Sequence, residues 1–151
     1  MGIGEEIKQS KFNSEGSKAS LNVVFTSHWI GKQHTDILKP FGITPQQFNV
    51  LRILRGQNGT PITVLGIMER MLDRMSNASR LVDKLLEKKY VQRRECPNDR
   101  RAVDIIILPK GLELLEQIDK IILNWESKFE KMGKEKLQLL NELLDEFRRS
   151  E

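Results

Sequence analysis

Between Tyr90 and Leu108 the chain stops placing its apolar residues at helical spacing and alternates them instead. YVQRRE reads as a short strand, CPNDRR as a turn, and AVDIIIL as a second strand with Val103, Ile105 and Ile107 on one face. One hairpin among segments of helical period restricts the fold class to mainly α with a small β-hairpin. Four arginines, Arg93, Arg94, Arg100 and Arg101, bracket the turn. Such density costs repulsion unless a polyanion or local carboxylates compensate, and Asp99 is the local carboxylate.

The charge distribution sharpens this. The net charge of +4 is modest, but residues 70–110 carry 11 basic and 6 acidic side chains, whereas residues 111–151 carry 7 and 10. Positive charge is therefore gathered on the middle third, around the hairpin. A length of 151 residues suits one domain with an appended oligomerisation element. No apolar run is long enough for a membrane span or a secretory signal, so the expectation is a cytoplasmic protein with no membrane partner. The single cysteine, Cys96, excludes an intrachain disulfide and a Cys-rich zinc site. His28 and His34, six apart, do not share a helical face, so no metal is expected. No phosphate-binding glycine loop or nucleophile motif is present, and the carboxylates are dispersed, so neither catalysis nor a cofactor is expected.

On either side of the hairpin the reading is helical. Residues 1–16 form a flexible arm or frayed helical start. Residues 17–42 hold an amphipathic helix through Leu21, Val24, Phe25 and Trp29, stopped by Pro40 and Gly42. Thr44, Pro45 and Gln47 make a capping box with proline at the first helical position, and Ile43 can staple onto Phe48. Thr63 caps a short helix that buries Leu65, Met68 and Met71 or Leu72. Asp73 begins another, which buries Ala78, Leu81, Val82 and Leu85 and turns Ser76, Asn77, Arg80 and Lys84 outward. From Pro109 the positions Leu115, Ile118, Ile122, Trp125 and Phe129, then Leu140, Leu144 and Phe147, recur as a heptad seam that seeks a partner helix.

Three helices followed by a basic hairpin is the order of a winged helix-turn-helix, here residues 43–108, with 17–42 and 109–151 left as N- and C-terminal dimerisation helices. Residues 44–111 resemble the MarR family of dimeric bacterial transcription factors through TPQQFNVLRIL, SRLVDKLLEKKYVQRR and PNDRRAVDIIILPKG. The Asp-Arg-Arg wing between two short strands is the most specific of these. The resemblance implies a homodimer that binds a near-palindromic double-stranded DNA operator. The expected role is that of a repressor released by a small-molecule effector, with Ser76, Asn77, Ser79, Arg80 and Lys84 on the recognition helix. The resemblance also implies a wing in which Asp99 pairs with Arg101, Arg101 enters the minor groove and Arg100 contacts backbone or groove, and Arg94 is counted with that wing. Two residues depart from the family pattern. Lys89 stands where glycine usually follows the recognition helix, and Pro109 stands where threonine is common.

Phe25, Trp29 and Phe48 are candidates for an effector pocket, although amphipathic spacing equally places large aromatics in core or seam. Cys96, among arginines, is open to a redox-sensing reading or to that of an inert loop thiol. A helical dimerisation adaptor that binds no DNA is the alternative of a different class. Salt-sensitive retention on duplex DNA separates the two.

Overall fold

The computed structural model describes residues 1–96 and 99–149. Within the hairpin, the side chains of Cys96, Asp99, Arg100 and Arg101 lie outside the described part, and so do the expectations placed on them.

The first sixteen residues are more structured than a loose arm. They hold a one-turn helix, α1 (Ile3–Glu6), whose Ile3 is buried. The Ser14 hydroxyl then accepts a hydrogen bond from the Ser17 amide at 3.0 Å and starts α2 (Glu15–Leu38), two residues ahead of the expected start. A 3-10 turn, Lys39–Phe41, and left-handed Gly42 end that segment. Helix α3 (Pro45–Gly56) has the anticipated capping box. Gln47 N–H donates to Thr44 Oγ1 and Thr44 N–H to Gln47 Oε1, both at 3.1 Å. Ile43 and Phe48, the two ends of the staple, are both buried.

Strand β1 (Ile62–Thr63) is too short to leave a period in the sequence, yet it pairs antiparallel with the hairpin, Ile62 opposite Ile105. Thr63 Oγ1 accepts from Gly66 N–H at 3.0 Å and caps α4 (Val64–Met68). With its start tied to the sheet, α4 turns Ile67 into the core, and Met71 beyond its end is also buried. Leu65, Met68 and Leu72, expected inside, are exposed. Helix α5 (Ala78–Glu87) begins five residues later than the sequence suggests. The Asp73 carboxylate folds onto the Met75 amide at 2.9 Å in a turn, and Asn77 Oδ1 caps the helix by accepting from Arg80 N–H at 3.1 Å. Ala78, Val82 and Leu85 are buried as expected, and Leu81 is half-buried.

The end of α5 resolves the departure at Lys89. Tyr90 N–H donates to the Leu85 carbonyl and Lys89 N–H to the Leu86 carbonyl, the two bonds of a Schellman cap, with Lys89 left-handed at φ 61°. The helix therefore ends as a glycine-capped one would, with a Cβ in a conformation that disfavours it. Strands β2 (Val91–Cys96) and β3 (Asp99–Ile107) follow, in the sheet order β1-β3-β2, and the register is irregular at Glu95 and Cys96. Strand β3 already begins at Asp99, within the stretch read as a turn from the sequence.

Helix α6 (Pro109–Glu126) reaches the sheet because position 111 is glycine. A Cβ there would lie 2.6 Å from the Tyr90 carbonyl oxygen and 2.8 Å from the Ile107 side chain. Its Leu114, Leu115, Ile118 and Ile122 join Leu38, Leu51, Leu54, Val82, Leu85 and Ile105 in one core. Leu115, Ile118, Ile122 and Trp125 are thus buried within their own chain, which corrects their placement on an intersubunit seam. Their helical spacing is satisfied by α3 and α2 instead. Arg55 of α3 and Asp119 of α6 add a forked ion pair at 2.5 and 3.3 Å. After a 3-10 turn, Phe129–Met132, helix α7 (Lys134–Arg148) contributes no buried residue. Leu140 and Phe147 are exposed and Leu144 is half-buried.

Candidate nucleic-acid interface

The surface that gathers the predicted contacts is built on α5. Burying Ala78, Val82 and Leu85 on one side leaves Ser79, Arg80 and Lys84 exposed on the other. Arg80 has no ion-pair partner among the described residues, whereas Lys84 is partly neutralised by Glu87 at 3.2 Å. Asn77 is exposed at the helix cap, and because its oxygen serves the Arg80 amide, its amide nitrogen is the group left to donate outward. Ser76 does not project from the helix as expected. It precedes the cap, half-buried, and its hydroxyl is shut from solvent with no hydrogen-bond partner.

A cleft of about 350 Å³ separates α5 from the start of α3, lined by Thr44, Gln46, Ser76, Asn77, Arg80 and Lys84. Thr44 and Gln46 thus stand beside residues expected to contact DNA. Sequence reasoning used Thr44 only as a cap, and nothing local in the sequence indicates a neighbour some thirty positions away. The wing is braced against the same helix, since Arg93 donates to Asp83 at 2.8 Å. Arg94 is exposed one residue further along β2, opposite Asp104 in register.

A second group of residues lies where α2 meets α6. Trp125 stands nearly perpendicular to Phe129 with centroids 4.9 Å apart, and Trp29 of α2 lies 6.2 Å from Trp125 and 6.3 Å from Phe129. His34 meets the Trp125 ring at 5.1 Å, and its Nε2 is buried without a partner. Burial holds its imidazole below the usual value, and the Arg52 guanidinium adds to this against the opposing pull of Glu126. Of the effector-pocket candidates, Phe25 and Trp29 are partly exposed on α2. Phe48 belongs to the core, with the Arg52 guanidinium 5.7 Å from its ring centroid, so it is a packing residue. Among the described residues no group of three His, Cys, Asp or Glu side chains could hold a metal ion, and no helix is long and apolar enough to cross a membrane.

A short helix, an exposed polar helix after a turn, and a hairpin braced against it define a winged helix-turn-helix. Residues 41–102 match the MarR family model. The chain is 30% identical over 82 residues to the transcriptional repressor MprA of Escherichia coli K12, which covers 54% of this chain and 47% of that protein. It is 32% identical over 77 residues to the HTH-type transcriptional regulator MhqR of Bacillus subtilis, 51% of this chain and 52% of the relative. The chain thus spans about half the length of the curated relatives it matches. The fold extends further. The Staphylococcus aureus MepR–DNA complex superimposes with a TM-score of 0.78 at 23% identity over 87% of this chain and 97% of that one. The relatives are named as a transcriptional repressor and an HTH-type transcriptional regulator.

Proposed function

We propose that the chain is a homodimeric, sequence-specific DNA-binding transcriptional regulator, a repressor released by a small-molecule effector. The observation that carries DNA binding is the pairing of an exposed α5 face, Asn77, Ser79, Arg80 and Lys84, with an arginine-bearing hairpin braced to it through Arg93 and Asp83. Helix and hairpin on one rigid unit can address a major groove and the flanking minor groove together. Dimerisation rests on α2 and α7, which leave Leu21, Val24, Phe25, Trp29, Leu140 and Phe147 partly or largely exposed. The repressor reading follows the name of MprA, and the effector reading rests on the aromatic residues of α2 beside the junction with α6.

The test is binding of the full chain to a duplex selected from random sequence and to its scrambled counterpart across a salt series. Binding should fall steeply with salt on both duplexes, with a preference for the selected one. Arg80→Ala should lose about 1 to 3 kcal/mol on the selected duplex and little on the scrambled one, while Arg101→Ala should weaken both together. A chain that ignores duplex DNA at low salt is not this kind of regulator.

A further inference from the structure

The segment from α4 to the start of α5 carries four large apolar side chains on the outside within eleven residues. Leu65 and Met68 are exposed on α4, and in the connection Leu72 is 86% and Met75 is 92% exposed. Single apolar residues on a surface need no explanation. Four in succession, immediately ahead of a recognition helix, do.

The connection is not slack. Leu72 N–H donates to Asn49 Oδ1 of α3 at 2.9 Å, Met75 N–H to the Asp73 carboxylate at 2.9 Å, Ser76 N–H to the Asp73 carbonyl at 3.2 Å, and the Arg74 guanidinium to the Glu69 carbonyl. These bonds tie the turn to itself and to α3, so Met75 is held outward by a fixed backbone while Met71, four residues earlier, is buried. Met75 stands two residues before the Asn77 cap, at the end of α5 that would enter the groove, and Arg70, Arg74 and Arg80 surround it in sequence. An apolar side chain held outward beside the cap of α5, on the surface that would face a polyanion, is suited to the apolar feature of a major groove, the C5-methyl group of thymine.

We propose that Met75 is a specificity-determining residue that reads a thymine methyl at the inner end of the recognition helix, with Leu72 as its apolar neighbour. This deepens the DNA-binding reading and rests on it. Methionine suits the task because its unbranched, polarizable side chain adapts to a contact formed only on binding.

The experiment uses the full chain and the selected duplex, with each thymine replaced in turn by deoxyuridine, which pairs alike but lacks the methyl. At one thymine in each half-site the replacement should weaken the native chain about fourfold, the value of one buried methyl. Met75→Ala should bind the thymine and uracil duplexes alike, and about as weakly as the native chain binds uracil. Its position in an exposed turn leaves folding intact, and matched thermal unfolding of variant and native chain checks this. If uracil costs the native chain nothing at every position, or costs Met75→Ala as much as the native chain, the proposal is overturned while DNA binding stands. A chain that binds no duplex overturns both.

Discussion

Asn77 illustrates how one side chain can be committed twice. Its oxygen caps α5 and its amide nitrogen faces outward, so a truncation at this position removes two things at once. Asn77→Ala should lower stability by about 1 kcal/mol through the lost cap and also weaken binding to a preferred duplex. Asn77→Ser keeps a capping oxygen, so chemical denaturation should find it near native stability while its DNA affinity still falls. If both variants lose affinity only in proportion to lost stability, Asn77 is a cap and nothing more. Lys89 is the complementary case, a residue whose side chain conflicts with its backbone. Both Schellman hydrogen bonds are made at φ 61°, where a Cβ costs roughly 1 kcal/mol that glycine does not incur. Lys89→Gly should therefore raise the denaturation midpoint, by about 0.5 to 1 kcal/mol at unchanged slope.

At the scale of elements, the junction of α2, α3 and α6 couples the helices outside the winged domain to the domain itself. His34 of α2 sits against Trp125 of α6, with Arg52 of α3 and Glu126 of α6 as the charged groups that act on it. Its folded-state pKa is depressed, so as pH falls from the ordinary imidazole value the unfolded chain takes up a proton before the folded one does. Stability should therefore decline on acidification across the interval below pH 6.5 and stop declining once the folded imidazole is protonated too. Thermal unfolding of the native chain and His34→Phe between pH 7 and 5 isolates the effect, because carboxylate contributions are common to both. A native chain that loses no more than the variant would show that the packing of His34 is indifferent to its charge.

For the molecule as a whole, the unresolved demand is apolar surface. Helix α7 buries none of its residues, and α2 leaves Trp29 and Val24 substantially exposed, which a stable protein covers with a second copy or another partner. The expectation is a dimer that persists at micromolar concentration in sedimentation. Charge placed on that surface by Leu140→Glu with Phe147→Glu should shift it to monomer. The winged domain, whose core does not include α7, should stay folded. Because dimer symmetry is imposed on the DNA, the full site should consist of two-fold-related half-sites about 10 base pairs apart, or a multiple of that. The double variant should then bind a full site no better than a half-site. Persistence of the dimer in the double variant would move the interface elsewhere.

The sequence by itself determined whatever depends on neighbours in the chain. The capping box at Thr44 and Gln47, the cap at Thr63, the stop at Pro40 and Gly42, and the change of period at Tyr90 are local, because each sets which backbone groups within a few residues are satisfied. The family resemblance was carried by the same stretches. Tertiary structure decided which apolar spacings face the chain's own core and which are left over, since periodicity gives a face but not its partner. Leu115, Ile118 and Ile122 have the same spacing as Leu137, Leu140 and Leu144, yet the first set is buried in the chain's own core and the second lies on a helix with no buried residue. It also decided that two residues at 62 and 63 form a strand, because a pairing with Ile105 and Asp104 from forty positions away supplies what a two-residue run cannot. The outward placement of Met75 is of the same kind. The turn fixed by Asp73 and Asn49, the latter more than twenty positions away, holds it to the outside.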